Sequence, residues 1–258
     1  MIEVIALTKV YQDSNTGRHV AVDRVHFQVR AGEILGLLGA NGAGKTTVLR
    51  ILATMLRPTS GAVRVCGFGV EDSPAEVRRR IGFVSNNTAI YDRMTAEEML
   101  AFFGKLHGLN GDRLRQRTES LMDTLRMNDF RKCPGAKLST GMKQKVSIAR
   151  ALIHDPPVLI FDEATLGLDV MVARNLLQVI RQLRDAGKCL IFSTHIMSEV
   201  EKLCDRVAIM HQGRILDCGT LSELKARHGN HDVEELFFSL VTSHDPTATS
   251  QSVLQGAE

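Results

Sequence analysis

Eight consecutive residues, Gly39-Ala40-Asn41-Gly42-Ala43-Gly44-Lys45-Thr46, satisfy the spacing G-x-x-x-x-G-K-[ST], a pattern whose chemistry is the holding of phosphate. Glycines at 39, 42 and 44 let the backbone fold closely round an oxyanion, so that N–H groups and the start of a following helix point at a β-phosphate. Lys45 would reach β and γ oxygens as a point charge, and the Thr46 hydroxyl would ligate Mg²⁺. The context suits the motif: an apolar strand-like run, residues 34–38, precedes it, and a helical run, residues 47–56, follows it. A glycine-rich turn that merely resembled the motif would not need that flanking pair.

Two further segments carry acid–base chemistry. Val158-Leu159-Ile160-Phe161-Asp162-Glu163 is an apolar run ending in two carboxylates, which places charge at the carboxyl edge of a sheet, where α/β folds bind ligands. Asp162 would hold Mg²⁺, directly or through water. Glu163, one residue on, projects differently and could polarise a water for attack on a γ-phosphate. Alone, such a pair could equally cap the next loop. His195, in Ser193-Thr194-His195, follows another apolar run, residues 189–192, and at the same edge could donate a hydrogen bond to the γ-phosphate. A lone histidine is more often structural, and only the neighbouring motifs lift this one.

The elements that must position these groups are legible as short β-type runs at residues 3–7, 25–29, 34–38, 63–65, 81–84, 158–161, 189–192 and 207–210. Several are apolar on both faces, as in a buried central sheet. Between about Thr95 and Arg131 the apolar spacing turns helical, through Met99, Leu100, Phe102, Phe103 and Leu106, then Leu114, Leu121, Met122 and Leu125. Thr95-x-x-Glu98 matches a capping box, and His211-Gln212-Gly213-Arg214 reads as a hairpin turn. The fold class expected is α/β. A Ser/Thr/Gln-rich tail, residues 241–258, is expected to be disordered.

The 258 residues, 44% hydrophobic, are enough for one large domain or a domain with a subdomain. No uninterrupted apolar run reaches the roughly 18 residues of a membrane span, and Met1-Ile2-Glu3 does not begin a basic-then-apolar signal peptide, so the expected location is cytoplasmic. Five cysteines without CxxC spacing favour neither zinc nor disulfides. The net charge of +3, with no Trp and two Tyr, gives little purchase for stacking on bases, and nucleic acid is not an expected partner.

A phosphate cradle with an acidic strand would suit a kinase or a GTPase as well. The discriminating segment is Leu138-Ser139-Thr140-Gly141-Met142-Lys143-Gln144-Lys145, which resembles the LSGGQ signature of ABC ATPases. Over about residues 2–240 the motifs fall in that family's order. Tyr11 stands where the family stacks an aromatic on adenine, Gly39–Thr46 matches Walker A, residues 158–163 match Walker B with its catalytic glutamate, Gly167-Leu168-Asp169 matches the D-loop, and His195 the switch histidine. The resemblance implies a P-loop NTPase core of the RecA-like kind, with an antiparallel β-subdomain and an inserted α-helical subdomain at about residues 95–154. It implies ATP and Mg²⁺ as cofactors, with residues 39–47, Thr47 included, contacting nucleotide. Ser139, Gly141 and Asp169 would complete a site on a second subunit. Physically, Ser139 and the N–H groups near Gly141 would form an anion site at a helix start; with one cradle and one signature per chain, two chains must meet head to tail.

Three positions depart from the family pattern. Asn86 stands where a Gln or Glu of the Q-loop serves the metal, and is one methylene shorter than Gln. Thr140 replaces the first signature glycine and Met142 the usual Gln, leaving Ser139 and Gly141 intact. The LSTGMKQ wording and the segment Ile90-Tyr91-Asp92-Arg93-Met94-Thr95 are most similar to the NatA type of sodium-extrusion exporter in the ABC-2 class. That implies an ATP-hydrolysing motor, peripheral on the inner face of the cell membrane through a separate transmembrane permease subunit. Tyr91 and the helix after Thr95 fall where the family receives that subunit, although helical Met and Phe stripes as often face a core. The alternative is a soluble ABC-type ATPase acting on a nucleic-acid or ribosomal partner, which would usually bring coiled coils, zinc inserts or a second cassette.

Overall fold

The structure, a computed structural model, describes residues 1–13, 17–85, 89–229 and 232–244. Two sheets organise it. In the larger, five parallel strands run in the order β9 (Arg206–His211), β3 (Ile34–Leu38), β8 (Cys189–Thr194), β7 (Val158–Asp162) and β6 (Ile81–Ser85), and β10 (Arg214–Gly219) pairs antiparallel with β9 at the edge. The smaller sheet is antiparallel: β2 (Gly17–Val29), β1 (Ile2–Asp13), β4 (Ser60–Val65) and β5 (Phe68–Gly69). This is the mixed α/β architecture expected, with an antiparallel β unit beside a parallel core.

Every residue of β3, β7 and β8 is buried, which explains why these runs show no polar alternation. Their side chains alternate between two cores. Val158, Ile160, Cys189 and Ile191 face one that includes Val4, Leu7 and Phe27 of the antiparallel sheet; Leu159, Phe161, Leu190 and Phe192 face the other. Burying each such aliphatic or aromatic side chain stabilises the fold by roughly 1.5–3 kcal/mol, and a slip of one residue would exchange the two faces.

The second core is shared with the helices α3 (Ala96–Leu106), α4 (Gly111–Thr124) and α5 (Thr140–Leu152), through Met99, Leu100, Leu121, Met122 and Val146 among others. The capping box at the start of α3 is present: Thr95 Oγ1 accepts from the Glu98 N–H at 3.2 Å and the Glu98 carboxylate from the Thr95 N–H at 2.8 Å. The apolar stripe of α3 divides. Met99 and Leu100 are buried, whereas Phe102 is 41% and Leu106 66% exposed. The hairpin turn joins β9 to β10 with positive φ at Gln212 and Gly213, the signature of a type I′ turn. At the C-terminus α9 (Val233–His244) carries regular helix four residues past the boundary expected at residue 240, with Val241 buried; residues 245–258 of the expected tail lie outside those described.

One polar joint links α3 to the parallel sheet. His107, at the end of α3, stacks on His154 with ring centroids 3.6 Å apart and planes 2° from parallel. His154 Nε2 donates to the carbonyl of Ile81 at the start of β6, 3.0 Å away, while its Nδ1 is buried without a partner among the described residues. Burial first, then the neighbouring His107, pushes the His154 imidazolium down to about 4; Arg117 adds to the effect, and the Ile81 hydrogen bond and Asp155 oppose it. The unfolded chain therefore takes up a proton near the ordinary histidine pKa that the folded chain refuses until about pH 4, so this contribution to stability is complete above the ordinary value and is lost as pH falls toward 4. Thermal melts should show a falling Tm across that window, and His154→Gln, which keeps an amide donor for Ile81, should flatten the dependence.

Candidate active site

The parallel register sets the carboxyl ends of four strands in line. Leu38 of β3 pairs with Thr194 of β8, Ser193 of β8 with Asp162 of β7, and Asp162 with Ser85 of β6. The cradle, the acidic pair and the histidine leave the sheet from this one edge. Asn86, the next residue after β6, lies outside the described residues.

Residues 39–44 form the turn between β3 and α1 (Lys45–Leu52). Gly44 caps the helix with φ 101°, and a Cβ there would stand 2.5 Å from the Ala21 carbonyl oxygen; a Cβ on Gly39 would stand 2.5 Å from the oxygen of Met210. Both positions need glycine on steric grounds. Lys45 is buried, and its ammonium donates to the carbonyls of Gly39 (2.6 Å) and Ala40 (3.1 Å) and lies 3.3 Å from Glu163 Oε1. Asn41, Gly42, Ala43, Gly44, Lys45, Thr46 and Thr47 line a cavity of about 340 Å³ whose far wall is Tyr11, His19 and Ala21 of the antiparallel hairpin and Glu163. Tyr11 pairs directly with His19 across that hairpin. Lys9 covers one face of the Tyr11 ring at 5.2 Å and donates to the Arg57 carbonyl.

The acidic pair is held by β8. Asp162 Oδ1 accepts from Thr46 Oγ1 (3.1 Å) and from Ser193 Oγ (2.8 Å). Glu163 has φ 48°, a left-handed conformation that costs a non-glycine residue about 1–3 kcal/mol and persists only where the surroundings hold it. Here the Glu163 N–H donates to both the carbonyl (3.2 Å) and the hydroxyl (3.1 Å) of Ser193. Its carboxylate then reaches Lys45 and lies 3.6 Å from His195 Nδ1, a buried nitrogen without a hydrogen-bond partner among the described residues. Next to His195, the Thr194 hydroxyl donates to buried Glu199 (2.6 Å) and accepts from the Ile196 N–H, fixing the loop.

The donors fit Mg²⁺. A hydroxyl and a carboxylate oxygen, both hard ligands, converge at the helix start where phosphate oxygens would complete the shell, the usual way this ion is bound with few protein ligands. No cluster of three His, Cys, Asp or Glu suited to a metal occurs among the described residues.

The signature residues lie elsewhere. Ser139 caps α5, its hydroxyl accepting from the Met142 N–H at 3.3 Å, and Gly141 packs on Val172 so that a Cβ would come within 3.1 Å of it. Asp169 caps α6 (Val170–Asp185), its Oδ1 accepting from the Met171 and Val172 N–H groups. None of the three lines the cradle cavity. Sequence reasoning passed over three residues that the structure brings in. Ser193 was only the neighbour of His195, though a hydroxyl ending an apolar strand was the available signal. Buried Gln144 donates to the Ala164 carbonyl at 2.7 Å, tying the signature helix to the loop after Glu163. His19 carried no signal, because only strand pairing sets it beside Tyr11.

Comparison with known proteins agrees with this arrangement. The family model described as ABC transporter matches residues 22–166. The chain is 44% identical over 220 residues to the ABC transporter ATP-binding protein NatA of Bacillus subtilis, covering 85% of this chain and 89% of that one. It is 34% identical to the daunorubicin/doxorubicin resistance ATP-binding protein DrrA of Streptomyces peucetius, covering 98% and 80%. Among solved structures, a dimeric ATP-binding cassette in a post-hydrolysis state with ADP and Pi superposes with a TM-score of 0.78 at 25% identity, covering 86% of this chain and 99% of that one. The ATP-binding subunit of an ABC transporter superposes at 0.83 with 30% identity, covering 93% and 99%.

The steric argument at the helix cap gives a direct test. Gly44→Ala should lower the melting temperature, since alanine is strained at this positive φ, and weaken nucleotide binding at least tenfold, because the cradle must open to relieve the contact with Ala21; thermal melts and equilibrium titration with a fluorescent ATP analogue measure the two effects.

Proposed function

This chain belongs to the ABC transporter family, and on that premise we propose that it is the motor of an ABC-2-class exporter, with Glu163 the base of hydrolysis and a transmembrane permease its docking partner. It binds ATP and is an ATPase. The observation that carries the residue assignments is the convergence of Lys45, Thr46, Asp162, Glu163 and His195 on one sheet edge.

In the reading we favour, Tyr11 stacks on adenine with the ring face that Lys9 leaves open, and the N–H groups of residues 39–47 hold the phosphates. Lys45 is satisfied by two cradle carbonyls and Glu163. A γ-phosphate offers it a stronger partner, so the lysine turns to the phosphate oxygens and leaves the Glu163 carboxylate free to accept a proton from the attacking water. His195, with its unpartnered Nδ1 facing Glu163, orients that carboxylate or donates to the γ-phosphate. Thr46 and Asp162 would hold Mg²⁺, which neutralises charge developing on the β and γ oxygens.

Ser139 and Gly141 are remote from their own cradle, so the reading completes each site with the signature of a second copy, head to tail. The exposed apolar residues beside Asp169, Val170 at 83% and Met171 at 62%, support a surface that becomes covered. The permease would meet the opposite face of the helical subdomain. There exposed Tyr91 packs edge-on to exposed Phe102, and a cavity of about 510 Å³ runs from Met55, Phe83 and Tyr91 inward to Arg150 and Asp162, so a docked element would sense the metal end of the site. Among the described residues no helix is long and apolar enough to cross a membrane; the inner-face location follows from this partner. Sodium is the cargo suggested by the likeness to NatA. The soluble ABC-type ATPase is not favoured, since the relatives are named for transport and resistance.

Glu163→Gln tests the base. It should retain ATP binding, lose turnover by about 10²–10⁴-fold and accumulate as an ATP-dependent dimer on gel filtration; unchanged phosphate release would refute the assignment. The same variant, tagged and recovered from detergent-solubilised membranes with MgATP, should bring down a multi-span membrane protein, whereas ribosomal proteins would favour the soluble alternative.

A further inference from the structure

We propose that Ser193 is a positioning residue for hydrolysis, a single buried hydroxyl that orients the metal-binding carboxylate of Asp162 and fixes the backbone of Glu163. The inference rests on the reading of Asp162 as the Mg²⁺ ligand and of Glu163 as the base, and deepens it.

The geometry is specific. Ser193 is fully buried and is the penultimate residue of β8, the strand that lies between the cradle strand β3 and the acidic strand β7. It pairs in register with Asp162, so the two side chains emerge side by side. Its hydroxyl donates to Asp162 Oδ1 at 2.8 Å and accepts from the Glu163 N–H at 3.1 Å. One proton and one lone pair are thus assigned, and the two functions next to each other in sequence are held by the same oxygen. Thr46 donates to the same Oδ1. A Thr46 oxygen that ligated a metal through a lone pair would keep its proton for Oδ1, so the carboxylate would be held from two sides, with Ser193 the donor that takes no part in ligation. A carboxylate ligand oriented by an outer hydrogen bond is the common design of metal sites, and loss of such a bond costs typically 10–100-fold in affinity or activity.

The second contact acts on the base. Glu163 sits at φ 48°, and the three-centre hydrogen bond from its N–H to the Ser193 carbonyl and hydroxyl holds that conformation. An alanine at 193 keeps the carbonyl and loses the hydroxyl, so Glu163 should wander from its place between Lys45 and His195 while the strand stays paired.

The test measures equilibrium binding of fluorescent ADP with and without Mg²⁺, on Ser193→Ala, Ser193→Thr and Asp162→Asn in the full chain, with thermal melts as the folding control and steady-state ATP turnover alongside. For Ser193→Ala we expect the Mg²⁺ concentration at half-effect to rise by about 10-fold or more, metal-free ADP binding to stay within about twofold, and kcat to fall more than KM rises. Ser193→Thr, which restores the hydroxyl, should recover most of both. If Ser193→Ala keeps the native Mg²⁺ dependence while Asp162→Asn loses it, the positioning role is overturned and the metal reading stands. If Asp162→Asn also keeps it, the metal reading falls and this inference with it. Equal loss of metal-free and metal-dependent binding by a folded Ser193→Ala would likewise overturn the proposal, because a general disturbance of the cradle would then explain it.

Discussion

Everything at the site depends on the register of three strands that are buried on both faces. β3, β8 and β7 have no exposed residue, so each side chain is committed to one of two cores, and no strand can slide without turning apolar groups to the wrong face. That rigidity lets Leu38, Thr194, Ser193 and Asp162 end level and lets short side chains, a threonine, a serine and an aspartate, meet across three strands at hydrogen-bond distance.

On this fixed edge the charges are paired with one another. A buried ammonium is costly unless paired and hydrogen-bonded, and Lys45 meets that requirement with two carbonyls and Glu163. The same carboxylate oxygen lies 3.6 Å from His195 Nδ1, so the cradle lysine and the histidine meet at one atom. The left-handed backbone of Glu163 belongs to the same logic: strain at one residue turns the side chain that follows Asp162 back over the cradle rather than along the strand. Gln144, reaching from the signature helix to the Ala164 carbonyl, ties that helix to this strained turn.

The helical subdomain is joined to the sheet through a continuous apolar core and through a few polar contacts. Arg117 of α4 donates to the Leu152 carbonyl and to Asp155, and the His107–His154 stack closes the same corner. Its outward face keeps Tyr91, Phe102 and Leu106 partly in solvent, while Met99 and Leu100 of the same helix hold the core. Helical spacing left a docking face and a core face equally open for this stripe; the structure divides it between the two.

Sequence by itself determined the chemistry of the cradle, because a glycine-rich turn between an apolar run and a helix is a local pattern, and it located the apolar central strands, the capping box at Thr95 and the turn at Gln212-Gly213, which are local too, while it stopped the first strand at residue 7 and began the second at residue 25, short of the stretches that carry Tyr11 and His19. The order of the motifs was enough to name the family. What it could not give was adjacency across the sheet. Nothing in the order of residues says that β8 runs between β3 and β7, and so Ser193 looked like a neighbour of His195 rather than the residue beside Asp162. Nothing local says that His19 stands beside Tyr11, that Glu163 adopts positive φ, or that Ser139 and Asp169 lie away from the cradle of their own chain. Those facts come from pairing and packing between segments more than a hundred residues apart for Thr46 and Asp162. Burial of β3, β7 and β8 on both faces, a property of the whole core, fixes the meeting of Ser193 with Asp162, whereas the exposed Tyr11–His19 pair follows from the β1–β2 register.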